Sequence, residues 1–192
     1  MISRPLKKRA TQHDAAPTDP ELMARLAGAD IGALGELYDR YQVPVRRFIA
    51  RATSDAEDVD DLVQSTFLTA ARSASRYDGR SLCRPWLIGI AVQLLRRRRH
   101  SLGRFLSVLS ALQAFRSTSS DPRSSLHARS DVERALAELS EAKRVTLLLA
   151  EVEELSCQEI AELLNIPIGT VWTRLHAARR EMRRALGGGH TP

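Results

Sequence analysis

The stretch Leu155–Arg184, LSCQEIAELLNIPIGTVWTRLHAARREMRR, leaves the chain little choice of local structure. Ser156 and Glu159 stand at the S-x-x-E spacing of a capping box, in which each side chain takes up an orphan N–H at a helix start. Leu155, just before the cap, is placed to staple onto Ile160. Ile160, Ala161 and Leu164 mark one face of a short helix that stops near Asn165, a residue that tolerates the left-handed conformation of a helix end. Pro167 suits the first position of a second helix, where its missing N–H costs little. Val171, Leu175, Ala178 and Met182 recur at helical spacing and form the inner stripe of that helix. The opposite face carries Trp172, Thr173, His176, Arg180 and Arg183. This is a helix-turn-helix pattern, with a second helix suited to the major groove of DNA.

Charge separates the two helices. Glu151, Glu153, Glu154, Glu159 and Glu162 gather on the first and its lead-in, whereas Arg174, Arg179, Arg180, Arg183 and Arg184 crowd the second against Glu181. A helix laid along phosphates gains from that segregation. An ordinary helical hairpin with a basic C-terminal end is the plainer alternative, because the helix dipole favours it too. The whole chain leans the same way: a net charge of +6 suits an acidic partner, and nucleic acid is the commonest. Aromatic residues are sparse and strand-like alternation is nearly absent, so an all-α fold of one or two small domains is expected from 192 residues.

Residues 1–19 are polar, basic and proline-punctuated, and are expected to be a disordered tail, solvated or in weak contact with DNA. From Pro20 the pattern is helical, with Leu22, Met23 and Leu26 before a stop at Gly28. Asp30 caps a longer helix with Leu34, Leu37, Tyr38, Tyr41, Val45, Phe48 and Ile49 on its apolar face, and Pro44 as a kink or weak point. A third helix is expected from Ser54 or Asp55 to about Ala74, with Val59, Leu62, Val63, Thr66, Phe67 and Ala70 inward. Its first turns carry Asp55, Glu57, Asp58, Asp60 and Asp61. Acid suits a helix N-terminus, yet five acids exceed what a cap requires, and a basic protein partner is the second reading.

Arg76–Leu82 reads as a loop, and a helix from Pro85 follows with Trp86, Leu87, Ile90, Ala91, Leu94 and Leu95 inward. It is expected to end in the run Arg96–Arg99, which points to phosphate binding because four consecutive arginines go round every face. Ser101–Phe115 is too apolar for an ordinary linker: it is an extra helix packed on the first domain or a docking surface for a partner. Arg116–Ser130 reads as a flexible linker. Val132, Leu136 and Leu139 open the second domain, and Ser140 caps a helix with Val145, Leu148, Leu149 and Val152 inward.

Several classes of chemistry find no support. Cys83 and Cys157 lie far apart, the five histidines have neither metal-ligand nor triad spacing, and there is no glycine-rich phosphate loop. An enzyme is therefore not expected, nor a metal or other cofactor. No apolar run approaches the ~20 residues of a membrane span, and the basic N-terminus lacks the apolar core of a signal peptide. A cytoplasmic protein is expected.

The series DAEDVDDLVQSTFLTAA (Asp55–Ala71), RYDGRS (76–81), PWLIGIA (Pro85–Ala91) and the arginine run resembles the second conserved region of bacterial sigma factors. The capped helix followed by IPIGTVWTRLHAARR (Ile166–Arg180) resembles their fourth region. With nothing of size between them, the chain resembles the extracytoplasmic-function subfamily of the sigma-70 family, over Pro20–Arg99 and Asp131–Leu186. The resemblance implies two small helical domains, 20–99 and 131–186, joined by a linker at 100–130 that contains the possible helix 101–115, with tails at 1–19 and 187–192. It also implies a function: binding core RNA polymerase and directing promoter-specific initiation. The alternative is a free-standing helix-turn-helix regulator, which leaves Asp55–Arg99 without a role.

By the same resemblance, Asp58, Asp61, Gln64 and Phe67 would bind core polymerase. Arg76, Arg80, Ser81, Trp86, Gln93, Arg96 and Arg97 would engage the downstream (−10) element, with Trp86 equally readable as plain core. Thr170, Trp172, Thr173, Arg174, His176, Arg179 and Arg180 would meet the upstream (−35) element. An anti-sigma factor is a further partner that the resemblance allows. The chain also departs from its relatives. Gln93 and Arg97 stand where the family usually has asparagine and aspartate, and Trp172 and Ala177 stand at positions often basic. The promoter sequence therefore does not follow from the family.

Overall fold

A computed structural model describes residues 16–53, 58–79, 82–112 and 130–187, the side chains of 100–112 excepted. The expected N-terminal tail, the start of the third helix at Ser54 or Asp55, and Arg80 and Ser81 lie wholly or largely outside these residues, as does the expected linker. Among the described residues there are eight α-helices and no strand. In chain order they are α1 (Asp19–Ala27), α2 (Ile31–Ala52), α3 (Val59–Ser73), α4 (Cys83–Leu112), α5 (Asp131–Glu138), α6 (Glu141–Glu151), α7 (Cys157–Leu164) and α8 (Ile168–Gly187). A single 3₁₀ turn, Ala74–Arg76, follows α3.

The first half is built on α2. The Asp30 side chain accepts the N–H of Gly32 at 2.8 Å, which fixes where α2 begins. Arg25 reaches back from α1 to Asp30 and Glu36, while Asp19 accepts from Arg40 and Tyr41, so α1 is tied along one side of α2. Leu37, Val45, Phe48 and Ile49 are buried beneath it, and the helix runs on through Pro44 without a break in its assignment. Against this face pack α3 and α4. The inward set expected on α3 is buried in full, and Thr66 satisfies its hydroxyl on the Leu62 carbonyl at 2.7 Å.

In the second half α8 lies against α5, α6 and α7. Leu136, Leu139, Val145, Leu148, Leu149, Ile160, Leu164, Val171 and Leu175 form its core. The buried apolar residues of the two halves join in one cluster, with α2 touching α5 and α6, and α4 touching α7.

Four expectations change. The helix after the loop begins at Cys83, so Pro85 is its third residue, a first-turn position that still spares a hydrogen bond. That helix does not end at the arginine run; its backbone continues to Leu112, because polar solvated residues do not by themselves stop a helix and no glycine or proline intervenes before Gly103. Val132 is 50 % exposed and Val152 also faces outward, whereas Ala135 and Leu147, not expected inward, are buried. Pro167 sits one residue ahead of α8, where its carbonyl accepts the N–H groups of Thr170 and Val171.

Candidate nucleic-acid interface

The helix-turn-helix is assembled by short-range hydrogen bonds that the sequence already contains. Glu159 accepts the Ser156 N–H at 2.8 Å and its hydroxyl at 2.7 Å, while Ser156 Oγ accepts the Glu159 N–H at 3.3 Å. These bonds hold the Glu159 carboxyl below its ordinary value. Asn165 is left-handed, with φ of 50°, and this turns the chain so that its own N–H reaches the Glu162 carbonyl and that of Ile166 reaches Ala161. Such a pair of bonds is the Schellman closure of a helix end. The chain therefore leaves α7 in one direction only, and α8 starts after three intervening residues.

Val171, Leu175 and Ala178 are buried and Met182 is packed against the core, so the inner stripe of α8 is as expected. Trp172 is 58 % exposed, and Thr173, His176, Arg180, Arg183 and Arg184 are exposed on the outer side. Thr170 and Arg174 are half-buried at the edges of that side. Thr173 donates its hydroxyl to the Thr170 carbonyl at 3.0 Å, which orients the side chain and leaves its oxygen as an acceptor. Arg179 is already engaged, with Nε and Nη2 on one Glu151 oxygen at 3.0 and 2.7 Å. Trp172 leaves more than half of its surface to solvent, and a flat ring among arginines suits contact with bases or sugars.

The residues expected to meet the −10 element divide. Arg76 is exposed at the end of the 3₁₀ turn. Trp86 is half-buried, edge-on to Tyr77 with ring centroids 5.4 Å apart, so it is part of the wall of the first half and only its rim is accessible. Gln93, Arg96 and Arg97 are exposed on α4. Arg96 donates to the carbonyl of Leu164 in the second half, and Arg98 pairs with Asp58. The arginine run is thus partly spent on the protein itself.

Of the residues expected to bind polymerase, Asp61 and Gln64 are exposed and line a groove of about 700 Å³ between α2 and α3. Phe67 is only 3 % exposed, held edge-on by Tyr38 at 4.8 Å, and it forms the floor of that groove rather than its rim. Asp58 is occupied by Arg98, and Asp60 by Arg46. Sequence reasoning missed Ile31 and Leu68, exposed apolar residues of the groove wall. The signal was available in Ile31, an apolar residue in a first helical turn that no inward periodicity requires. Leu34 and Tyr38, read as plain core, line the same groove.

Cys83 is fully buried, and burial pushes its thiol up to about 12, where it stays protonated and unreactive. Among the described residues no three His, Cys, Asp or Glu side chains converge as metal ligands would.

Fold and surface together define a two-part helical DNA-binding protein of the helix-turn-helix class. Comparison with known proteins narrows the class. Residues 37–105 match the family model of Sigma-70 region 2, and residues 129–182 that of Sigma-70, region 4. The chain is 32 % identical over 174 residues to the ECF RNA polymerase sigma-E factor of Escherichia coli K12, spanning 84 % of this chain and 91 % of that one. It is 28 % identical over 180 residues to the RNA polymerase sigma-H factor of Pseudomonas aeruginosa, spanning 88 % and 93 %. In fold it is similar to the sigma factor RpoE of Bartonella quintana, solved with the anti-sigma factor NepR, at a TM-score of 0.63 and 22 % identity over 80 % of this chain and 96 % of that one. CnrH, solved with the cytosolic domain of CnrY, matches at a TM-score of 0.59 and 23 % identity over 88 % and 97 %. The chain belongs to the sigma-70 family, in its extracytoplasmic-function subfamily. It directs transcription initiation, and the free-standing regulator is not favoured. Among the described residues no helix is long and apolar enough to cross a membrane.

Proposed function

We propose that this sigma factor works through three separate surfaces and performs no catalysis of its own. The groove between α2 and α3, with Asp61 and Gln64 on its rim and Ile31, Leu34 and Tyr38 on its walls, docks on core RNA polymerase. The first half, residues 20–99, supplies that contact, and with it the −10 surface of Arg76, Arg80, Ser81, Gln93, Arg96 and Arg97, with the rim of Trp86. The second half, residues 131–186, presents Trp172, Thr173 and His176 to base edges of the −35 element and Arg174, Arg180 and Arg183 to phosphates. Phosphate contacts position a helix and base contacts specify sequence. The observation that carries this reading is the outer face of α8, where an exposed tryptophan, threonine and histidine stand among arginines opposite buried Val171, Leu175 and Ala178. A cytoplasmic site of action follows from the polymerase as partner. The structural relative solved with the anti-sigma factor NepR supports an anti-sigma factor as a further partner.

Co-purification from a bacterial lysate tests the first contact. Full-length protein should retain core polymerase, and Asp61→Lys with Gln64→Ala should not. Equal retention by both would contradict the groove as the docking site.

A further inference from the structure

Residues near the N-terminus of a recognition helix are the ones that reach base edges in the major groove. From Ile168 to Ala178, the exposed side chains of α8 are those of Trp172, Thr173 and His176. Arg174 is half-buried at the edge of that face, and Arg179 beyond it is held by Glu151. The commonest specific contact, a guanidinium forked onto guanine O6 and N7, therefore has no exposed arginine at the centre of this face. An indole stands there instead, 58 % exposed. Long helical side chains lean toward the turn that precedes them. One turn before Trp172 is Gly169, where an added Cβ would meet nothing within 4 Å. That side of Trp172 is open to a group entering from the groove.

Each base pair shows the major groove a different set of groups, and only thymine shows it a methyl. An indole offers a broad apolar face and one N–H donor, with no acceptor. It suits the methyl and O4 of thymine and is poorly matched to the amino groups of adenine and cytosine. Thr173 points to the same kind of pair. Its hydroxyl proton is committed to the Thr170 carbonyl at 3.0 Å, so its oxygen remains as an acceptor for an amino group of adenine or cytosine. Guanine presents only acceptors in this groove and gives that oxygen nothing to bind. An A·T pair carries both the methyl and an amino group, and it fits this face on both counts.

We propose that Trp172 determines the specificity of α8 by selecting a thymine of the upstream element through its 5-methyl group. The proposal rests on the reading of α8 as the helix that meets that element. The test uses holoenzyme formed from the full chain and purified core polymerase. Fluorescence anisotropy reads its binding to labelled promoter duplex whose upstream element was first selected from a randomised pool. Deoxyuridine then replaces each thymine of that element in turn, on either strand, which deletes the methyl and leaves every hydrogen-bonding group in place. At one position the wild type should lose roughly fourfold in affinity, the worth of one buried methyl group. Trp172→Ala should show no loss at that position, and Trp172→Phe should keep most of it. Sensitivity to uridine at no position, or an equal loss in wild type and Trp172→Ala, overturns the proposal. So does a Trp172→Ala variant that weakens all sequences alike while selecting the same element, as a ring resting on sugars would. If Thr173→Ala or His176→Ala alters the selected element while those results are negative, the thymine assignment alone falls. If neither alters it, the reading of α8 falls and the assignment with it.

Discussion

Thr173 and His176 differ from Arg180 in what their loss should do, although all three stand on the outer face of α8. A side chain on a base edge carries sequence information, so Thr173→Ala or His176→Ala should relax preference at one or two base pairs, at roughly 1–3 kcal/mol for a good contact. Selection of a randomised upstream element by the holoenzyme would show it, and an unchanged selected sequence in both variants would argue against α8 as the reader. Arg180→Ala should instead weaken all sequences alike and lower the salt slope by about one. Arg179 should matter less than its neighbour. It must first give up Glu151, an exposed pair worth on the order of 0–1 kcal/mol that already satisfies the guanidinium. Titrating both alanine variants with DNA at two salt concentrations should rank Arg180 above Arg179, and the reverse order would show that the Glu151 pair does not compete with DNA.

At the scale of single elements, α7 depends on its cap and α3 on its groove. Ser156→Ala should cost the molecule about 1 kcal/mol, the usual worth of an N-cap side chain. The Glu159 carboxyl is held below its ordinary 4.5 by Ser156, so this part of the stability is fully present above that value and is lost as pH falls through the lowered one. Urea unfolding at neutral and acid pH should therefore show a gap between wild type and Ser156→Ala that narrows in acid; a constant gap would mean the carboxylate contributes nothing. On α3 the structure redirects mutagenesis. Phe67 is floor, and its truncation should cost about 3–5 kcal/mol of stability rather than report on an interface. Asp58 is tied to Arg98, so its reversal would disturb the fold along with any contact. Asp61 and Gln64 remain the clean probes.

The caps, the stop at Asn165 and the stripes of α3 and α8 were legible because their bonds link residues two to five apart in the chain. Boundaries of α4 were not, since the arginine run carries no stop signal of its own. Ion pairs such as Arg84–Glu153 join residues 69 apart, and no local pattern announces them.

The whole molecule is two helical halves of one basic chain, and its function belongs to both together. A helix-turn-helix alone would bind DNA; in the function proposed here, the groove on α2 and α3 makes DNA binding serve a polymerase. That division of labour is the central claim, and reconstituted run-off transcription tests it most directly. A promoter selected by the holoenzyme, purified core polymerase and this protein would be combined in all pairwise and complete mixtures. The account predicts discrete transcripts only when core and sigma factor are both present, and their loss with Asp61→Lys and Gln64→Ala together. Specific transcripts from core polymerase without this protein, or full activity of that double variant, would contradict it.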